Sequence, residues 1–158
     1  MRRNLINSIL LLSLILGFSA KAYAREWTLF VKDDLFLHYY DQENMKTTPK
    51  KILQVLIKVV PKSQKGKDLL LAVRKEKMFL MGGYEDYAYT VTALEINCPD
   101  KMKAVLESSD FNHKGHVLDT VRDPLSTLRR RWIQIDSDSY PESFYHKALC
   151  KKLGESQN

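Results

Sequence analysis

Two cysteines, four histidines and a run of three arginines are the residues of this 158-residue chain best equipped for chemistry. Cys98 and Cys150 are thiol nucleophiles or metal ligands when reduced, and a cross-link when oxidised. A metal site is a poor reading, because neither has a partner in C-x-x-C spacing. His113 and His116, flanked by Asp110 and Asp119, could share a cation only on a helix, where residues three apart lie on one face. Asn112-His113-Lys114-Gly115 reads instead as a turn, with Gly115 placed for a positive φ, and the two histidines as exposed turn residues. His38 sits in an aromatic strand and reads as a packed residue; His146 is isolated. A nucleophile needs a base within reach and a third group to orient it. The chain has no G-x-S-x-G, no H-E-x-x-H and no phosphate-cradling glycine loop. The expectation is a protein with no catalytic residues, no metal and no cofactor. The sharpest basic cluster is Arg129-Arg130-Arg131 beside Trp132, with Arg122 near by. Arginine next to an aromatic ring binds anionic polymers such as nucleic acid, glycan or lipopolysaccharide. Its plainer reading is a solvated loop leading into a core tryptophan.

These residues belong to one domain, preceded by a segment of another kind. Arg2 and Arg3 form a positive n-region, Ile9 to Phe18 is an apolar run, and Ala22-Tyr23-Ala24 supplies small residues at a cleavage site. That pattern predicts a signal peptide over residues 1–24, cleaved after Ala24, and a domain over 25–158. The apolar stretch Leu5 to Ala20 is shorter than the roughly 20 residues that span a bilayer. No cysteine follows it for acylation and no second apolar run of spanning length exists, so the expected product is exported, periplasmic or extracellular, and not a lipoprotein. Loss of Arg2, Arg3 and Lys21 lowers the formal charge from +6 to +3, which favours solubility but does not mark a nucleic-acid binder. In an exported chain the two cysteines are most simply one disulfide. It would close a loop of roughly 50 residues, to which chain entropy assigns about 4 kcal/mol.

The domain opens with two aromatic-rich strands, Glu26 to Val31 and Leu35 to Tyr40, about the turn Lys32-Asp33-Asp34. Asp41 to Pro49 reads as a loop. Ile52 to Val60 is a third strand whose near-continuous apolarity suits a central position. Lys62 to Lys67 reads as a basic loop, then Asp68 to Leu80 as a helix capped by Asp68 and ended by Gly82-Gly83. Two short strands about Arg74 to Lys77 are the competing reading. Tyr84 to Asn97 is a fourth strand, with Tyr87, Tyr89, Val91 and Ala93 on one face and Leu94 and Ile96 on the other. Met102 to Ser108 and His116 to Val121 are the fifth and sixth. Trp132 to Ile135 is short and extended. A helix capped by Ser139 runs from Pro141 to about Lys152 and stops at Gly154.

Taken in order, Glu26-Trp27, Tyr39-Tyr40-Asp41, Glu95-Ile96-Asn97-Cys98, Trp132-Ile133-Gln134-Ile135 and a serine before a short helix ending in Cys150 resemble the surface-adhesin protein E-like domain of Gram-negative bacteria. The resemblance implies an α+β fold: a single antiparallel sheet of about six strands, with the C-terminal helix held against one face by the disulfide. For function it implies a non-enzymatic binding module at the cell envelope. The expected partner is a protein or an anionic polysaccharide, not a specific nucleic acid. A sheet covered on one face leaves the other to solvent or a partner, so the numerous tyrosines would suit an interface, homodimerisation included. The alternative is a periplasmic structural protein that self-associates and binds no host ligand.

Overall fold

The computed structural model describes residues 25–76, 82–122, 130–138 and 140–155, with side chains to Lys151. The predicted signal segment, with its cleavage position after Ala24, lies outside the described residues, as do Arg129 and the expected cap Ser139. The fold is α+β. Strands β1 (Trp27–Lys32), β2 (Phe36–Asp41), β4 (Ile52–Pro61), β5 (Tyr87–Asn97), β6 (Met102–Asn112) and β7 (Val117–Arg122) form one antiparallel sheet in that order. Two short strands attach to it: β3 (Lys46–Thr47) pairs with β4, and β8 (Ile133–Gln134) with β6. Helices α1 (Gln64–Glu76) and α2 (Glu142–Glu155) complete the fold.

Local chemistry explains the turns. Asp33 Oδ1 accepts from the backbone N–H groups of Leu35 (2.6 Å) and Phe36 (2.7 Å), a side-chain-closed turn that sets the β1–β2 hairpin. Gly115, at φ 79°, supplies the left-handed residue of the β6–β7 turn. Strand β4 has the β-branched content of a central strand and occupies one, with β2 and β5 on its two sides.

Register sorts the side chains onto two faces. His38, Tyr40, Leu53, Val55, Ile57, Leu94 and Ile96 point to the face that carries the helices, and with Ile135, Tyr145 and Leu149 they form most of the buried core. Phe30 joins them at a bulge in β1, its ring 5.4 Å from Tyr40 and 5.3 Å from Tyr145. The Cys98–Cys150 disulfide, Cα atoms 5.7 Å apart, ties the end of β5 to α2. His146 reinforces that clasp from the helix, its Nε2 lying 3.0 Å from the Cys98 carbonyl oxygen.

Several boundaries differ from expectation. Helix α1 begins at Gln64, inside the stretch read as a basic loop, and excludes the two-strand alternative over its own length. Ser63 caps it, accepting from the Gly66 N–H at 3.3 Å, while Asp68 sits within the helix and binds Gln64 instead. A glycine in the first turn looks like a loop signal, but Gly66 is there for contact: a Cβ would lie 2.5 Å from the Leu35 carbonyl oxygen. The expected helix end, 77–81, lies outside the described residues. Tyr84–Asp86 forms a 3-10 turn ahead of β5 rather than its first residues. Strand β6 continues four residues past Ser108, because Ser109 and Asp110 find polar partners there. Gly154 lies within α2 and does not end it.

Candidate functional site

Both helices lie on one face of the sheet, and they leave part of it bare. Between α1 and α2 runs a groove of about 630 Å³. Its floor is mainly aliphatic, with Ile57, Val59, Leu94, Val105, Val121 and Ile133, one or two from each of β4 to β8, and it also carries Thr90, Thr92 and Ser108. Of these, Val105, Val121 and Ile133 are 38%, 42% and 46% exposed. Leu70 stands on the α1 side, with Pro141 and Tyr145 on the α2 side. Four cations line it, and three are matched. Arg74 pairs with Asp110, Lys103 with Glu142, and Arg122 with Glu107. Arg131 forms no ion pair with any described residue.

The Arg74 pair anchors a buried network at the α1 end. Asp110 is 4% exposed and accepts two bonds from Arg74, at 2.7 and 2.9 Å. It also accepts from the Tyr84 hydroxyl (2.7 Å) and the Thr90 hydroxyl (2.5 Å). Thr90 in turn accepts from Tyr87 at 2.8 Å. Burial would raise the Asp110 pKa, but the bonds from Arg74, Thr90 and Tyr84 outweigh it and hold the carboxylate below its usual range. Burial pushes the Tyr87 hydroxyl up to about 12.

A second network ties α2 to the first hairpin. His38 is 2% exposed. Its Nδ1 lies 2.7 Å from the Tyr145 hydroxyl and its Nε2 3.3 Å from Asp33, whose carboxylate also accepts from Tyr140. Burial lowers the His38 pKa despite Asp33, so the ring is neutral at pH 7. His38 is thus a packed strand residue whose two nitrogens are both engaged. His113 and His116 are exposed in the β6–β7 turn, and Asp110 is turned away from them onto Arg74. Among the described residues, no group of three or more His, Cys, Asp or Glu side chains is placed to hold a metal.

The two described members of the arginine run, Arg130 and Arg131, have different surroundings. Arg130 reaches Glu95, a carboxylate 5% exposed, at 2.8 and 3.4 Å, where Gln54 also donates at 2.9 Å. Arg131 lines the groove. Successive residues of an extended chain point to opposite sides, so adjacent arginines have unrelated surroundings. Arg130→Ala should therefore cost about 1–3 kcal/mol by stripping a buried carboxylate of its cation, while Arg131→Ala should change stability by less than about 0.5 kcal/mol. Urea unfolding of the two variants measures the contrast.

The sheet face away from the helices is the second feature. Register puts Leu37, Tyr39, Leu56, Lys58, Val60, Tyr89 and Val91 on it, with Leu29 opposite Tyr39. Tyr89 stacks on Phe111 with ring centroids 5.0 Å apart. The Lys58 ammonium lies 4.2 Å from the Tyr89 ring centroid and 5.5 Å from that of Trp27, and Arg25 caps Trp27 at 5.7 Å. Tyr87, expected on this face, is not there. A bulge between Tyr87 and Tyr89 turns it onto the helix face, where it is buried against Tyr84. The near-continuous apolarity of β4 marks a central strand, and it also puts apolar residues on both faces of the sheet. What it did not carry is the placement of a lysine at the centre of one of them.

Searches against protein-family models, curated proteins and solved structures match nothing to this chain.

Proposed function

We propose that this chain is an exported, non-catalytic binding module that holds a protein partner against the sheet face away from the helices. The observation that carries the reading is the chemistry of that face. An antiparallel sheet with one wet side ordinarily alternates apolar and polar residues; here the second side is apolar as well around Lys58, with Trp27, Tyr39, Tyr89 and Phe111 among aliphatics, while Gln54, Glu95 and Glu107 lie farther along the same face. Aromatic residues are enriched at protein interfaces and supply most of the energetically dominant contacts. Neither helix contributes to covering this face. The resemblance to the surface-adhesin protein E-like domain points the same way, toward recognition of another macromolecule at the envelope.

Lys58 narrows the partner. It is half-buried among rings, without an ion pair among the described residues. A carboxylate set among apolar side chains would complement it, whereas a symmetric self-packing centred there would oppose two ammonium groups. A different protein with an acidic, apolar patch therefore fits better than a second copy. A photo-crosslinking residue in place of Val91, carried by the protein in its native host, tests this. The expected result is a discrete adduct with another envelope protein, lost on Lys58→Glu. Adducts of the chain with itself would support the self-associating alternative, and no Lys58-dependent adduct would sink the face as an interface.

A further inference from the structure

We propose that the groove between α1 and α2 binds a free long-chain fatty carboxylate, its chain along the aliphatic floor and its carboxylate on Arg131. This site is separate from the face assigned to a protein partner, and its ligand is of another class. Three observations bear on it. The first is the floor, where Val105, Val121 and Ile133 are held in one concavity and each exposes more than a third of its surface to water. Apolar surface confined in a groove gains most from a ligand that displaces that water with hydrocarbon. The second is size, because about 630 Å³ is within the range of small-molecule sites.

The third observation is charge. Arg74, Lys103 and Arg122 each face a carboxylate of this chain, so their charges cancel locally. Arg131 has no such partner among the described residues, and with those three carboxylates counted the described residues of the groove carry a surplus of one positive charge. A guanidinium takes a carboxylate through two parallel bonds. Ile133, two residues on from Arg131, pairs with Lys103, which places the cationic end beside the exposed aliphatic floor. Glu142, bonded to Lys103 at the same edge, sets a negative charge where a second anionic oxygen would enter. A monoanion with one chain fits this arrangement, and a phosphate headgroup with two chains does not.

Calorimetric titration of the disulfide-intact protein with octanoate, decanoate and dodecanoate, each below its self-association concentration, tests the proposal. Burying a methylene corresponds to about a fourfold gain in affinity, so the dissociation constant should fall steeply and monotonically with chain length. Dodecanoate should bind at least about tenfold tighter than dodecyltrimethylammonium, a preference that Arg131→Glu should erase. Val121→Glu should weaken dodecanoate by about tenfold or more while leaving the urea midpoint in place, since Val121 is 42% exposed. A dissociation constant indifferent to chain length, equal affinity for the cationic amphiphile, or binding only to phosphatidylglycerol vesicles would each overturn the assignment.

Discussion

Replacing both Cys98 and Cys150 by serine is expected to lower the free energy of unfolding by about 4 kcal/mol. The two residues are 52 apart in sequence, and a cross-link across that many residues removes about this much chain entropy from the unfolded state. Domain stabilities are about 5–15 kcal/mol, so the loss is a large fraction of the total. The effect should concentrate on α2, because that helix contributes Tyr145 and Leu149 to the core and is attached to the sheet at Cys98 both covalently and through His146. Urea titration followed by far-UV circular dichroism measures it, with reduced and alkylated wild type as a second route to the same state. A loss below about 1 kcal/mol would show that packing of Tyr145 and Leu149 alone docks the helix.

The second large effect is expected at Asp110. Asp110→Ala deprives Arg74, Tyr84 and Thr90 of their common acceptor in a buried site. Breaking a buried pair from one side costs about 3–5 kcal/mol. The double variant Asp110→Ala with Arg74→Met should cost clearly less than the sum of the two single changes, by about 1 kcal/mol or more, because the two side chains are in direct contact and their mutual bonds are lost once rather than twice. The pH dependence has a definite sign. The folded state holds the Asp110 pKa below its ordinary value of 3.8. Its contribution is therefore complete above about pH 4 and is lost as pH falls through the folded pKa. Wild type should lose stability in acid below about pH 4, and Asp110→Ala should show a shallower loss there. Identical acid profiles would remove Asp110 from the account.

How far the sequence reaches can be judged residue by residue. The class of fold, the antiparallel sheet, the C-terminal helix and its tie to Cys98 were legible, because they rest on long apolar runs and on having only two cysteines to pair. Helix α1 was legible in kind but not in place. Gly66 punctuates a sequence window, yet its role is to let the helix approach the Leu35 carbonyl, a contact invisible before the chain folds. The end of β6 was missed because Ser109 and Asp110 look like a turn until Thr120, Arg74, Tyr84 and Thr90 are brought to them. Tyr87 was assigned to the wrong face because one bulged residue, Ala88, reverses the alternation before it. The arginine run was visible, but nothing local could show that Arg130 is committed to Glu95 while Arg131 lines the groove.

The strand order has a consequence for how the chain assembles. Along the main path β1, β2, β4, β5, β6 and β7 each pairs with the one before it on that path, and the longest closure is the β4–β5 connection that carries α1. The helix that seals its core face is different: Tyr145 meets His38 across a separation of 107 residues. The core-face contacts made among the strands can be in place before α2, which brings Tyr145 and Leu149, is reached. In a chain threaded from its N-terminus into a new compartment, the strands would arrive in pairing order, and Cys98 would wait for Cys150. Oxidation is then a record of completion, since the sulfurs meet only once the last helix has landed.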